Sequence, residues 1–221
     1  GFLNGKSTSY FENGKIESEK NYLNNNSEGE SIWWHENGSR KISGSFKNGL
    51  EEGQWSWWDE NGLLTSTRDY KEGLKHGNWT SFDKGRKIYD KEFKDDLLNG
   101  KSTSYFENGN LETELNYVNS LLNGEANIWF DNGQIKEKKL FRNNMLDGDL
   151  ISWNKNGKLV NEKKFKDGEK VGIWTFWNSN GTKDAILNYK NNLLIYSKRI
   201  LYFTNGNKKL MRILDYKRDI F

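Results

Sequence analysis

Residues 3–14 read LNGKSTSYFENG, and residues 98–109 read the same twelve letters again, 95 positions later. Weaker copies fill the rest of the chain, opening at Gly5, Gly29, Gly53, Gly77, Gly100, Gly124, Gly148 and Gly172. Six of the seven intervals are 24 residues long. The seventh is 23, because Lys84-Gly85 replaces the Asn-Gly of the other copies after one deletion. So regular a period makes each unit a rigid module whose surfaces are buried by its neighbours, the signature of a repeat architecture.

Positions are counted here from the opening Gly. Position 5 is always aromatic: Tyr10, Trp34, Trp58, Phe82, Tyr105, Trp129, Trp153 and Trp177. Positions 8 and 9 are Asn-Gly in seven copies. A second ring recurs near position 17, as Tyr22, Phe46, Tyr70, Phe93, Tyr117, Phe141, Phe165 and Tyr189. Asn-Gly between strand-forming residues predicts a hairpin with a type I′ turn, which needs positive φ at both central residues. Positions 1–7 then pair with 10–17, and positions 18–24 connect to the next unit. The pairs are 7 with 10, 6 with 11 and 5 with 12. Even positions 2, 4 and 6 share one face with 11, 13 and 17, and the position-5 ring lies on the other. A bulge would exchange these faces locally.

Gly recurs within each unit and an Asn-Gly break interrupts it, which argues against helix. The predicted fold is all-β: an elongated single-sheet solenoid of tandem antiparallel hairpins. Eight units at two strands each predict a rod on the order of 75–80 Å. Composition agrees with a thin layered core. Hydrophobic residues are 33 % and charged residues 29 %, yet the chain holds 10 Trp, 10 Tyr and 12 Phe. With a mean hydropathy of −0.99, a thick aliphatic core is excluded. That many rings is foreign to a disordered chain. Pro is absent, as suits continuous hydrogen-bonded strands.

The array is expected over residues 1–195. Residues 196–221 depart from it: Tyr196 stands where an opening Gly is due, and Asn205-Gly206 arrives one residue late. Ile200, Leu201, Phe203, Leu210, Met211, Ile213, Leu214, Ile220 and Phe221 make this segment apolar, as a C-terminal capping hairpin requires. It is also basic. Lys198, Arg199, Lys208, Lys209, Arg212, Lys217 and Arg218 face Asp215 and Asp219, while the whole chain is only +3. A basic tail on a nearly neutral array lacks the stripe of a nucleic-acid binder, and nucleic acid is not an expected partner.

The unit Gly-x-x-x-x-(Tyr/Trp)-(Phe/Trp)-x-x-Asn-Gly, followed by an aromatic and (Asp/Asn/Glu)-Gly, is well displayed by residues 53–77, GQWSWWDENGLLTSTRDYKEGLKHG. It resembles the MORN repeat variant class over about residues 1–195, including bacterial proteins grouped as YwqK-like antitoxins. The resemblance implies an extended hairpin array with interaction roles, and it carries no shared catalytic residues. High Asn and Lys content fits a bacterial source. An opening that reads as the tail of a preceding repeat favours a longer protein of the cell envelope or secreted, over a cytoplasmic one.

No catalytic, cofactor or metal site is expected. His35 and His76 lie more than a repeat apart, and Cys is absent. Asp59-Glu60 and Asp95-Asp96 lack the calcium-loop spacing. Nothing resembles a phosphate loop, and no carboxylate pair stands out for glycoside hydrolysis. What varies is positions 2 and 4, which are small in repeats one and five (Ser7, Ser9, Ser102, Ser104) and carry one or two rings in repeats two, three, four and eight. Trp33, Trp55, Trp57, Trp79, Trp174 and Phe176 are the candidate partner-binding residues, since Trp dominates interface hot spots. The competing reading makes them space-fillers on one face of the sheet. A non-catalytic protein-binding or scaffolding module is expected, as an antitoxin, immunity or cell-surface protein. Carbohydrate or cell-wall binding through the aromatics, or a phospholipid-associated scaffold, are the alternatives.

Overall fold

The computed structural model describes residues 1–203 and 206–215. Asn205, Lys217, Arg218, Asp219, Ile220 and Phe221, which the sequence assigns to the cap and its charge, lie outside the described residues. So does the Asp215 side chain. The described chain is all strand and turn, divided into two compact units, Gly1–Gly109 and Asn110–Phe221. No helix among the described residues is long and apolar enough to cross a membrane.

Unit one holds β1 (Gly5–Tyr10), β2 (Ile16–Leu23), β3 (Asn26–Ser27), β4 (Gly29–Trp34), β5 (Arg40–Lys47), β6 (Leu50–Trp58), β7 (Leu64–Lys71), β8 (Leu74–Asp83), β9 (Arg86–Lys94) and β10 (Leu97–Tyr105). The strands pair antiparallel in sequence order, with β3 and β4 as successive pieces that both pair with β2. Unit two repeats the meander with β11 (Leu111–Val118), β12 (Leu121–Trp129), β13 (Ile135–Arg142), β14 (Met145–Trp153), β15 (Leu159–Lys166), β16 (Glu169–Trp177), β17 (Lys183–Lys190), β18 (Leu193–Tyr202) and β19 (Lys208–Asp215). The hairpin array predicted from the repeat is thus the observed fold class.

The turns exchange roles relative to the sequence expectation. At the first Asn-Gly, Gly14 N donates to Phe11 O and Phe11 N donates to Lys15 O, both at 2.9 Å. Gly14 has φ +81°, while Asn13 is not among the residues of positive φ. This is a type I turn closed by a Gly bulge, a three-residue loop and not a type I′ turn. Asn serves here through its side chain. Asn13 Oδ1 accepts from Lys15 N at 3.0 Å, and Asn37 Nδ2 reaches Glu60 O of the next repeat at 2.7 Å. In the fourth repeat one residue is missing, and Lys84 (φ 49°) and Gly85 (φ 78°) form the two-residue turn between the paired Asp83 and Arg86. The deletion trades one loop class for the other and leaves the strands in place.

Lys84-Gly85 aside, the two-residue turns with positive φ at both positions lie between repeats, at Asn24-Asn25, Asn48-Gly49 and Asn143-Asn144 among others. Positions 18–24 are therefore not a loose connection: two residues turn and the next strand begins. These turns stack on each other. Asn25 N donates to Leu3 O, Gly49 N to Ser27 O and Gly73 N to Glu51 O, at 2.9–3.0 Å. Each such bond contributes on the order of 1 kcal/mol, and side chains add to them, as where Leu3 N donates to Asn25 Oδ1 and Asn48 N to Glu28 Oε2, both at 2.7 Å.

The predicted register holds up to position 4, as in Gly5↔Tyr22, Ser7↔Lys20 and Ser9↔Ser18. It then slips. Tyr10 pairs with Ile16, so position 5 faces position 11 and not 12, with the extra residue bulged out of the second strand. The same slip recurs at Trp34, Trp58, Trp129, Trp153 and Trp177. Three loop residues, in place of two, demand it: one strand must absorb the odd residue. The position-5 ring still lies across the sheet from positions 2 and 4. On that side Thr103 Oγ1 donates to the Tyr105 hydroxyl at 3.5 Å.

β18 and β19 make one more antiparallel strand pair, at the end of which Phe203 N donates to Asn207 O at 2.8 Å and Gly206 N to Phe203 O at 2.9 Å. Tyr196 has no positive φ. The register shift before it is one residue, where an opening Gly allows two between β5 and β6.

Candidate binding surface

Positions 2, 4, 13, 15 and 17 share one face, and in unit one the rings at these positions form a continuous layer. Trp55 is its centre. Its ring centroid lies 4.9 Å from Phe46, 5.8 Å from Trp33, 6.2 Å from Trp57 and 6.3 Å from Tyr70. The layer continues through Tyr70–Trp79 at 5.4 Å and Trp79–Phe93 at 5.1 Å. Unit two has a shorter version, Phe165–Trp174–Tyr189, at 5.0 and 4.8 Å. The position-2 indole therefore sits between the position-17 rings of its own and the preceding repeat.

The same indole is fixed by its N–H. Trp55 Nε1 donates to Ser45 O at 3.2 Å, Trp79 Nε1 to Asp69 O at 3.0 Å and Trp174 Nε1 to Lys164 O at 3.0 Å. A satisfied N–H and rings on both sides make this a core position. Trp55 and Trp174 are each 6 % exposed, and Ser31 at 0 % and Ala126 at 2 % are buried at the same position. Trp79 and Leu150 are half-buried there, and Ser7 of the first repeat is exposed.

Position 4 is different. Trp33, Trp57 and Phe176 are half-buried, and neither Trp33 nor Trp57 has an acceptor for its indole N–H among the described residues. The structure brings Trp33, Trp55, Trp57 and Trp79 together in unit one and sets Trp174 with Phe176 in unit two, joined by Lys163. That ammonium lies 5.3 Å from the Trp174 ring and 5.5 Å from the Phe176 ring. Of the six candidates, Trp55 and Trp174 belong to the core, Trp79 is half-buried but hydrogen-bonded in place, and the others keep accessible edges.

Cations also line this face, and sequence reasoning passed over them. Arg68 lies with its guanidinium carbon 4.4 Å from the Trp57 ring and 5.0 Å from the Trp79 ring. Lys20 stands 5.2 Å from Trp33, and Lys75 4.9 Å from Trp79. The hairpin register itself was the missed signal, since it sets position 15 beside position 2: Trp55 pairs with Arg68, and Arg68 with Trp79.

The histidines are scattered: His35 Nε2 lies 2.9 Å from Trp58 O, and His76 Nδ1 3.3 Å from Asp95. Among the described residues no group of three or more His, Cys, Asp or Glu could hold a metal ion.

Comparison with curated proteins returns no match. A solved structure titled "Crystal Structure of TcdB2-TccC3-Cdc42" contains a similar chain, 10 % identical, with a TM-score of 0.20. The match covers 95 % of this chain and 14 % of that one. At that score the likeness carries no weight for fold or function. The MORN repeat variant family matches at residues 3–24, 27–48, 98–119, 122–143 and 170–191. These are the repeats opening at Gly5, Gly29, Gly100, Gly124 and Gly172, each matched across its paired strands. Repeats three, four and seven share the opening Gly and the two framework rings. Five repeats of this chain thus belong to the MORN repeat variant family, and the remaining three are built on the same hairpin framework.

Proposed function

We propose that the chain is a non-catalytic docking module that binds another protein through the aromatic face of residues 1–109. The observation that carries this is the contrast between Trp55 and its neighbours Trp33 and Trp57. The first is locked in the core, and the other two are half-buried with free indole N–H groups. Aromatic residues that are rigid, partly exposed and supplied with an unused donor suit interface anchors. Neutralisation of a toxin, as in antitoxin or immunity proteins, is one form such docking takes.

Affinity capture from the source cell with the intact chain and with the Trp33→Ala/Trp57→Ala variant tests it. A protein retained by the first and lost by the second, at equal thermal stability, supports docking. Equal recoveries refute it. Loss of a glycan-array signal in the same variant moves the function to carbohydrate binding, the second use of exposed indoles.

A further inference from the structure

We propose that Arg68 is the receptor for a side-chain carboxylate of the docked protein, whose contacting segment is an acidic peptide laid across the aromatic face. This rests on the docking reading above and specifies the chemistry of its partner.

Arg68 is a held but unused cation. Its guanidinium carbon lies over the Trp57 ring and over the Trp79 ring, and its five N–H donors lie in the guanidinium plane. Among the described residues no hydrogen-bond acceptor or carboxylate pairs with it. The adjacent acid, Asp69, is committed elsewhere: its carboxylate accepts from Asn78 N at 2.9 Å and from Gln54 Nε2 at 3.4 Å. A guanidinium oriented between two rings presents a planar fork, and a carboxylate matches that fork with two parallel hydrogen bonds. Half-burial beside aromatic walls lowers the local dielectric, so the pair is stronger there than on open surface.

Charge on this face is segregated. At positions 13 and 15 of repeats one to four stand Ser18 and Lys20, Ile42 and Gly44, Ser66 and Arg68, Tyr89 and Lys91, with no acid among them. At the rim, Glu51 and Lys75 offset each other. Yet residues 1–109 as a whole hold more Asp and Glu than Lys and Arg. A positive aromatic face on an acidic unit selects for an acidic segment and against non-specific attraction of anions to the rest of the surface. Lys91, 4.7 Å from the Tyr89 ring, is likewise unpaired among the described residues. It lies two strands from Arg68, about 10 Å away at normal strand spacing. Acidic residues two or four apart, on one face of an extended peptide, bracket that distance at about 7 and 13 Å.

Titration of the intact protein with poly-L-glutamate, followed by Trp emission, tests the proposal. The expected result is saturable binding that weakens with added salt. Arg68→Gln should weaken it at least tenfold, and Arg68→Lys, which keeps charge without the fork, should be intermediate. Lys6→Ala, on the opposite face, should bind as the unmodified chain does. Melting temperatures identify any variant that fails to fold, and the Lys variant keeps the cation in place. Undiminished binding by Arg68→Gln overturns the proposal. So does Arg68-dependent binding of heparin or phosphatidylglycerol vesicles that is tighter than that of polyglutamate. If Trp33→Ala/Trp57→Ala loses the captured protein while Arg68→Gln retains it, the carboxylate receptor is refuted and docking stands. If polyglutamate binds through Arg68 and no protein is captured, docking fails and the carboxylate site stands.

Discussion

The ring of Trp55 fills the space that a side chain on Gly44 would need: a Cβ built there would lie 2.1 Å from Trp55 Cδ2. Gly44 occupies position 15 of repeat two, where repeats one and three carry Lys20 and Arg68. The large indole and the missing side chain are one packing solution. Gly44→Ala should therefore destabilise by roughly 1–3 kcal/mol through overpacking, and Trp55→Ala by roughly 3–5 kcal/mol. Combined, they should cost less than their sum, because the two residues share one space. Urea denaturation of the two single variants and the double variant measures all three values.

Ser31 pairs with that same Gly44, is fully buried, and leaves its hydroxyl without a hydrogen-bond partner. Such a group costs about 1–3 kcal/mol. Ser31→Ala should raise stability by about 1 kcal/mol, read as a shift of the urea midpoint at constant slope. A loss of stability would show that the hydroxyl is satisfied.

Positive φ makes different demands at different glycines. Gly62 closes a three-residue turn at φ +80° with no atom within 4 Å of a built Cβ. Gly62→Ala should cost only the left-handed backbone penalty, about 1–2 kcal/mol, and Gly62→Asn less. Gly148 opens repeat seven at φ +140°, and a Cβ there would lie 2.7 Å from Leu140 Cδ2. Gly148→Ala should cost clearly more in the same denaturation assay, because a packing clash adds to the backbone term.

Removing the Trp57 side chain should destabilise far less than removing that of Trp55, because Trp57 is half-buried and its indole N–H has no partner to strand. Thermal melts of Trp55→Ala and Trp57→Ala check this. Equal losses would place position 4 in the core.

Asp147 is gripped by Lys166 (3.0 Å) and Arg142 (2.7 Å). The Lys166 hydrogen bond, aided by that from Asp167 N and by the Arg142 charge, lowers its pKa below the ordinary 3.8. Lys155 does the same for Asp131. A depressed carboxylate stabilises the fold above its unfolded pKa, and that stability is lost as pH falls through the lower, folded value. Melting temperature should therefore fall on acidification below about pH 4. Asp147→Asn should be less stable at neutral pH and converge with the unmodified chain in strong acid. Lys87, raised mainly by its hydrogen bond to Asp90, works in the opposite direction, its contribution vanishing as pH rises above 10.5.

Much of this was legible in the residues. The opening Gly, the position-5 ring and the position-17 ring gave the repeat, and the pairing of Ser9 with Ser18 follows the register read from them. The turn was misread because Asn13-Gly14 suits two loop classes, and only the closing bonds between Phe11, Gly14 and Lys15 separate them. Trp55 and Trp57 read alike in sequence, two residues apart on one face. Their difference lies in the Ser45 carbonyl and the Phe46 and Tyr70 rings, which reach Trp55 from flanking strands.

The sequence alone determined the period, the all-β class and the face on which positions 2, 4, 13 and 17 stand, because backbone geometry and Gly placement act locally; the bulge moved position 11 to the face of position 5. Only the tertiary structure decided which aromatic is core and which is surface, and that Arg68 stands between two indoles with its donors free. Those properties depend on what neighbouring strands place beside a side chain, and residue type does not encode them.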